Sequence, residues 1–396
     1  MKLVLSKVAV IGLIVLSGLS SNQVGAATVE VSTCTDWETA VNATLTEDTT
    51  AVITASSFSY DDCGESSYKT FEVKNNLLKV VSDVAWRKLC TFWGIRFEVT
   101  DNGQLLFVMD AEFNMDEDTE LVIDGGFVYV ENGSTARFLE DLNVTGFHLI
   151  CERDGDYCGE VFDGGCVWNE GYFRVNGHAT FTSCDNDNIH GTAIGLGFAI
   201  YNGAAGSILF KDGVTVQDMY LNDISDENGA IYNAGKIDIN GDSVFLDIVA
   251  NNVDGTEVGA AIYNEENATF TFKQDASATF VECRGTNRHA GAVRNKGMFT
   301  FSGPANFTQC KSAIYNTYPG SLVLSDGSVF SKNFDTGPYA GGAITNLVGA
   351  TLEIPEDITF TNNSVTYSPS CDNIYFQETE GIYSTDYVAE DYTCLP

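Results

Sequence analysis

The sequence predicts an all-β protein, a single-stranded parallel β-helix of about ten coils, and three observations support this fold class. A four-residue phrase, Ala-Ile-Tyr-Asn or a close variant, recurs along the chain, and its asparagines are 33, 31, 31, 31, 21 and 30 residues apart. Each repeat holds three short β-like segments separated by Gly, Asn and Asp. Helical periodicity is nearly absent from the repeats. The recurring asparagines are Asn169, Asn202, Asn233, Asn264, Asn295, Asn316 and Asn346.

A single repeat is too small to bury its own apolar face. One unit consists of residues 230–233, 236–240 and 244–248, and its middle segment alternates apolar and polar side chains. Winding the chain so that each unit stacks on the next gives every strand parallel neighbours about 4.8 Å above and below. The interior is then a prism filled by one side chain per position per coil.

Three aligned columns of the phrase predict which side chains face inward. The Ile column is always branched and aliphatic and is expected in the interior: Val167, Ile200, Ile231, Ile262, Val293, Ile314 and Ile344. The Asn column is expected to form a hydrogen-bonded ladder at a corner, where Asn also tolerates a left-handed backbone. The Tyr column contains an Arg, and an unpaired buried Arg is costly. We therefore expect this column to face solvent: Trp168, Tyr201, Tyr232, Tyr263, Arg294, Tyr315 and Thr345.

The ends of the chain predict a leader and two caps. Residues 1–26 combine Lys2 and Lys7 with a short apolar stretch and small residues at the end, as in a secretory signal peptide. Residues 27–70 form the expected N-terminal cap, with a short amphipathic helix that starts at Asp36 as an acidic N-cap and a first strand at 50–54. The β-helix is assigned to 71–370, and 371–396 form a C-terminal cap or tail.

The strong negative charge limits the classes of partner. The net charge is −35, and removing the two lysines of the predicted signal makes it −37. Such a surface repels nucleic acid and anionic lipid. It suits a solvated acidic coat or loose binding of calcium, and no other cofactor and no metal site is predicted. No apolar stretch after the signal is long enough to span a membrane.

The eleven cysteines all follow the predicted signal, as expected of an oxidising compartment. Cys283 and Cys310 hold equivalent positions in successive coils, so they form either a disulfide or a pair of stacked thiols. Cys34 with Cys63, and Cys371 with Cys394, are candidate disulfides of the two caps. An odd number of cysteines also allows a disulfide-linked oligomer beside a monomer. Cys151, Cys158 and Cys166, with Cys184 as a further candidate, surround a Gly-rich loop, but without any Cys-x-x-Cys pair zinc is disfavoured.

Asn-x-Ser/Thr triplets predict N-glycosylation, which together with the signal favours a eukaryotic secreted glycoprotein. The acceptors are Asn42, Asn132, Asn143, Asn267, Asn306 and Asn362.

Two motifs in the repeats resemble a known family. The pairing of Gly341-Gly342-Ala343-Ile344-x-Asn346 with Phe360-x-x-Asn363, and a second match at Phe330-x-x-Asn333, is similar to the repeat of chlamydial polymorphic outer membrane proteins. More broadly, the chain resembles the pectin-lyase-like superfamily of right-handed parallel β-helices. The resemblance implies a right-handed coil and a role in surface display or adhesion. Autotransport is not carried over, because the glycosylation triplets point to a eukaryote.

No catalytic signature was found. The motifs of polygalacturonases, alginate epimerases and calcium β-rolls are missing, and Asp124 and Asp163 precede Gly-Gly pairs typical of turns. Arg288, His289 and Arg294 form one basic cluster that could clamp a uronate or pair with surface carboxylates. The Tyr column could bind sugar rings or only stack on itself; its candidate binding residues are Trp168, Tyr201, Tyr232, Tyr263, Arg294 and Tyr315.

The favoured function is a non-enzymatic protein, secreted or on the cell surface, that binds polysaccharide or other surface components. The alternative is a polysaccharide lyase, hydrolase or epimerase acting on acidic glycans. An enzyme should concentrate carboxylates and a base in one groove along a single sheet, whereas a display protein should be evenly acidic.

Overall fold

The chain winds into a parallel β-helix, which confirms the predicted fold class. The structure is a computed structural model. It describes residues 27–44, 49–53, 58–59, 69–82, 89–93, 95–107, 110–114, 128–145, 148–149, 162–163, 165–186, 195–221, 228–251, 258–285, 291–336, 341–366, 373–376 and 393–394. Three long sheets run along the molecule, and every strand pairing between neighbouring coils is parallel.

Sheet 1 has 12 strands. In spatial order they are β1 (Ala27–Val31), β2 (Thr49–Ile53), β5 (Leu77–Ser82), β8 (Gln104–Phe107), β11 (Thr135–Phe138), β16 (Tyr172–Val175), β21 (Ser207–Phe210), β24 (Lys236–Ile239), β27 (Thr269–Phe272), β31 (Met298–Phe301), β34 (Ser321–Val323) and β38 (Thr351–Glu353).

Sheet 2 has 14 strands, three of them beside the main path. The main path is β3 (Phe58–Ser59), β6 (Leu89–Trp93), β9 (Asp110–Asn114), β12 (Leu142–Thr145), β17 (Ala179–Thr182), β22 (Val214–Leu221), β25 (Ser243–Ala250), β28 (Ala278–Val281), β32 (Ala305–Thr308), β35 (Ser328–Ser331) and β39 (Ile358–Thr361). The others are β13 (His148–Leu149), β18 (Asp185–Asn186) and β29 (Arg284–Gly285).

Sheet 3 contains the repeated phrase and has 12 strands. They are β4 (Lys69–Lys74), β7 (Ile95–Thr100), β10 (Val128–Val130), β15 (Val167–Asn169), β20 (Ile200–Asn202), β23 (Ile231–Asn233), β26 (Gly259–Asn264), β30 (Gly291–Asn295), β33 (Ile314–Asn316), β37 (Ile344–Asn346), β41 (Ile374–Phe376) and β42 (Thr393–Cys394). Two small sheets pair β14 (Phe162–Asp163) with β19 (Gly195–Leu196) and β36 (Phe334–Asp335) with β40 (Ser364–Val365).

The N-terminal helix α1 (Cys34–Ala43) packs onto the first coils. Thr33 is its N-cap, and Asp36 stands at the third helical position, where it closes a capping box with Thr33. The prediction of Asp36 as the N-cap itself is therefore wrong. Trp37 is fully buried, with its ring centroid 6.1 Å from that of Phe71 and 6.2 Å from that of Phe97. Parallel pairing already begins with β1, upstream of the strand expected at 50–54.

The interior is filled by columns of apolar side chains at equivalent positions of successive coils, and one of these columns consists of phenylalanines over five coils. Phe280 lies between Phe245 and Phe307, with ring centroids 4.5 Å and 4.4 Å away and nearly parallel planes. The column continues through Phe330 to Phe360 at the last coil. Offset stacking of this kind adds to the stability that burial alone provides.

The predicted asparagine ladder is present at the corner between sheets 3 and 1. Each Asn donates its side-chain N–H to the side-chain oxygen of the next Asn, at 2.7–2.8 Å, from Asn169 to Asn346. Several also donate to a backbone carbonyl, as Asn264 does to Met298 at 3.2 Å. The short 21-residue coil between Asn295 and Asn316 keeps the same geometry.

The left-handed backbone lies at a different corner from the one expected. None of the ladder asparagines has positive φ; instead, from β17 to β39 of sheet 2 one residue per coil does, with φ between 50° and 57°, either just after the strand or, for Asp218 and Asp247, within it. These residues are Ser183, Asp218, Asp247, Glu282, Gln309, Lys332 and Asn362. Next to this corner, Asn333 accepts from the Cys310 backbone and donates to Asn363, so a short second ladder continues the cysteine column.

The cysteines differ from the predicted pairing. Cys283 and Cys310 are buried free thiols, so of the two predicted alternatives the stacked thiols are present and the disulfide is not. A disulfide that the sequence did not single out joins Cys166 to Cys184, whose Cα atoms are 6.4 Å apart. Cys34 is disulfide-bonded as predicted. Its expected partner Cys63 and also Cys371 lie outside the described residues, as does the side chain of Cys394.

We expect Cys283 and Cys310 to react slowly with an alkylating reagent in the folded protein. Burial raises the pKa of the Cys283 thiol, and hydrogen bonding with Cys310 raises it further, so the reactive thiolate is scarce. Peptide mapping after native and denaturing labelling should show modification of both thiols at least about tenfold slower in the native state, because a fully buried thiol meets the reagent only when the coils open. Rapid native labelling of both would contradict their burial.

Candidate carbohydrate-binding face

The Tyr column lies along sheet 3 on the side opposite to the Ile and Asn columns, as strand alternation requires. Its members are in register from coil to coil, and the register extends upstream to Tyr129, Glu98 and Glu72. The sequence phrase fades in these upstream coils, so Tyr129 was missed. Its only signal was the alternation of Val128 and Val130 around it.

Neighbouring side chains of the column contact each other. Trp168 meets Tyr129 and Tyr201 edge to face, at centroid distances of 5.3 Å and 5.6 Å. Tyr201, Tyr232 and Tyr263 stack in parallel at 5.4 Å and 5.5 Å. Mutual stacking, which was one of the two interpretations of the column, is therefore present along most of it.

Exposure divides the column into two parts, and the prediction that all of it faces solvent is wrong. Tyr129, Trp168 and Tyr201 are half-buried. Tyr232 is 8% exposed, Tyr315 2%, and Tyr263 and Arg294 are fully buried. The covered part is therefore not accessible to a ligand.

The prediction failed because the buried polar side chains of the column make contacts that offset the cost of removing them from water. The Arg294 guanidinium carbon lies 4.8 Å from the Tyr315 ring centroid, a cation–π contact that strengthens when water is excluded. Thr345 is also fully buried and accepts a hydrogen bond from the Gly341 backbone at 2.9 Å. Arg288 and His289, the other members of the proposed basic cluster, lie outside the described residues.

We call Tyr129, Trp168 and Tyr201 the exposed aromatic face. Glu98 and Glu72 continue it toward the N-terminal end, and Glu72 forms an ion pair with Lys74 at 3.0 Å. The raised pKa of Lys74 follows mainly from its hydrogen bond with Glu72. Aromatic rings beside carboxylates that accept hydrogen bonds offer both kinds of contact that a sugar requires.

The outer face of sheet 2 has a different character. On its main path from β17 to β39 two outward side chains are charged, Asp218 in β22 and Asp247 in β25, and both are exposed. The outward side chains at the alternating positions of these strands are uncharged: Thr180, Thr182, Thr215, Gln217, Val244, Leu246, Thr279, Val281, Asn306, Thr308, Val329, Ser331, Thr359 and Thr361. The outer face of sheet 2 therefore carries few charges for a chain that is strongly acidic.

The glycosylation acceptors are all on the outside. Asn42, Asn132, Asn267 and Asn362 are exposed. Asn143 and Asn306 are half-buried and point outward from β12 and β32 of sheet 2. Their modification stays a prediction.

Asp238 and Lys311 also have pKa values shifted by their surroundings. Burial raises the pKa of Asp238, but hydrogen bonds from Lys236 and Lys273 outweigh this and lower it overall. Burial lowers the pKa of Lys311 in the shortest coil, and the charge of Asp335 partly opposes that shift. In the part of the chain that the structure describes, no group of three or more His, Cys, Asp or Glu side chains could hold a metal ion.

No helix within the described ranges is long and apolar enough to cross a membrane.

Comparison of the chain with protein-family models, curated proteins and solved structures finds no match in any of the three. The resemblance to pectin-lyase-like proteins thus rests on the sequence motifs alone. The support for the candidate site comes only from the geometry of its residues.

Proposed function

We propose that the protein is a non-enzymatic, secreted or cell-surface β-helix that binds polysaccharide through the exposed aromatic face. The observation that carries the proposal is the in-register row of Tyr129, Trp168 and Tyr201, partly open to solvent, with Glu98 beside it. The three rings, whose centroids are 5.3 Å and 5.6 Å apart from one coil to the next, provide a row of aromatic contacts along which a sugar chain can lie.

The rigidity of the platform favours binding. Each ring is fixed by contact with the next and by a strand whose backbone is paired on both sides, so few side-chain rotamers are lost when a ligand binds. The carboxylate of Glu98 can accept hydrogen bonds from sugar hydroxyls at the edge of the platform.

Replacing Trp168 by Ala should weaken binding to the preferred polysaccharide about tenfold, which corresponds to about 1.4 kcal/mol. Affinity electrophoresis against neutral and acidic polysaccharides would measure the change. Tyr318→Ala is a suitable control, since Tyr318 is 70% exposed and lies outside the column. Equal retention of the Trp168 variant and the wild type, or no retention of the wild type by any polymer, would refute the proposal.

Incubating the protein with the same polysaccharides tests the enzymatic alternative. A lyase would release unsaturated products that absorb ultraviolet light, and a hydrolase would release reducing ends. Turnover of any polymer would replace the binding function by an enzymatic one.

A further inference from the structure

The outer face of sheet 1 places two arginines side by side. In one outward column, Lys79, Leu106, Arg137, Arg174, Leu209 and Asp238 follow one another in register. Arg137 on β11 and Arg174 on β16 are therefore direct cross-strand neighbours. Like charges at such positions destabilise a sheet unless something else compensates them.

No carboxylate compensates them within the described part of the chain, where neither arginine forms an ion pair. Arg137 is exposed, and its guanidinium carbon lies 5.7 Å from the centroid of the half-buried Tyr172 ring. Arg174 is half-buried and donates from Nε to the side-chain oxygen of Asn176 at 2.6 Å. Each arginine side chain is thus held by a neighbouring residue, and its terminal guanidinium nitrogens remain available to bind an anion.

The absence of carboxylates is notable because the chain has 55 acidic residues and only 20 basic ones. Two coils further along the same column, Asp238 is paired with Lys236 at 2.7 Å and with Lys273 at 2.9 Å. The same sheet therefore holds one cluster in which a carboxylate pairs with two lysines, and one pair of arginines that has no carboxylate partner among the described residues.

We infer that Arg137 and Arg174, with the Tyr172 ring against the Arg137 guanidinium, bind the carboxylate or sulfate groups of an acidic polysaccharide. A guanidinium presents two parallel N–H groups that match a carboxylate or sulfate, and the tyrosine ring can contact the apolar face of the sugar. Lys79, two coils from Arg137, lies about 10 Å away and can contact a second anionic group on the same polymer.

The rest of the rod favours this ligand over nucleic acid. The net charge of −35 opposes the approach of every polyanion outside this small patch, so a polymer whose anionic groups are separated by whole sugar units is favoured over one with densely spaced phosphates. The inference rests on the proposed function only in that both ligands are polysaccharides. The arginine pair lies on sheet 1 and binds anionic groups, whereas the exposed aromatic face lies on sheet 3 and contacts sugar rings.

The test compares two variants that remove the same charge from the same sheet. Arg137→Gln/Arg174→Gln removes the proposed site, and Lys236→Gln/Lys273→Gln removes the paired lysines. Affinity electrophoresis at low salt would use polygalacturonate as the carboxylate source, dextran sulfate as the sulfate source, and neutral dextran. The arginine variant should bind one or both acidic polymers at least tenfold more weakly, and the lysine variant less than twofold more weakly.

Equal losses in the two variants would show a general charge effect and overturn the inference, as would absent wild-type binding to both acidic polymers. Binding of single-stranded DNA as tightly as the acidic polymers would also overturn it. Arg137→Lys/Arg174→Lys should bind more weakly than the wild type, because it keeps the charge and loses the paired N–H geometry. Trp168→Ala, assayed in parallel, should retain the arginine-dependent binding, so the two proposals can fail separately.

Discussion

Phe280→Ala should lower the free energy of opening of the central coils by about 3–5 kcal/mol, the range for loss of a buried phenylalanine. Phe280 is fully buried, and its ring stacks on Phe245 and Phe307 while meeting Phe272 edge to face at 6.4 Å. The change leaves a cavity that neighbours cannot fill, because the strands on both sides are held in register by their own hydrogen bonds.

Native-state hydrogen exchange is the appropriate measurement, since stacked repeats can open locally instead of all at once. Exchange should accelerate most in β25, β28 and β32. Phe360→Ala is the matched control, because Phe360 ends the same column and is only half-buried. A similar effect for the two substitutions would contradict the view that the central stack stabilises the rod.

Asn264→Ala should lower the stability of the same region by about 2–3 kcal/mol. The substitution removes the bond accepted from Asn233 at 2.8 Å and those donated to Asn295 at 2.8 Å and to Met298 at 3.2 Å. Asn233 and Asn295 each keep three other side-chain hydrogen bonds, so the loss is smaller than if both were left unsatisfied.

Asn240→Ala provides the control for the ladder, because Asn240 is exposed at the corner after β24. The midpoint of urea unfolding should fall clearly for the Asn264 variant and change little for the Asn240 variant. If the Asn264 variant unfolded at the same urea concentration as the wild type, the ladder would be a consequence of the coil geometry and not a source of stability.

The two binding proposals differ in what they require of the rod. The exposed aromatic face needs accessible rings, and its extent is set by the point at which Tyr232 becomes covered. The arginine pair needs only that two coils stay in register, as the pairing of β11 with β16 shows. Substitutions that loosen the central coils, such as Phe280→Ala, should therefore affect neither site directly.

Much of the fold could be predicted because a parallel β-helix brings equivalent positions of successive repeats together. The uniform Ile column identified the interior, and the uniform Asn column identified the ladder two residues further along the strand. The surroundings at each of these two positions are the same in every coil. The same type of residue therefore recurs there, and this recurrence can be recognised in the sequence.

The cysteine pairing could not be predicted in this way. Cys166 and Cys184 are joined across one coil, and nothing in their spacing distinguishes that pair from the others in the same region. Cys283 and Cys310 occupy equivalent positions in successive coils and remain thiols. Equivalent position is thus a poor guide to whether two sulfur atoms bond.

The sequence by itself determined the stacking of coils, the inward columns and the side of the strand on which the Tyr column lies, because a strand alternates its side chains with a period of two. Only the tertiary structure decided that Arg294 and Tyr263 are buried while Trp168 is partly open, and that Arg137 lies beside Arg174. The alternation of side chains along a strand determines which of them point into the coil and which point outward. Whether an outward side chain is covered, and which outward side chains are neighbours, depends on how the coils pack and pair in three dimensions, and the number of residues in a coil differs from one coil to the next.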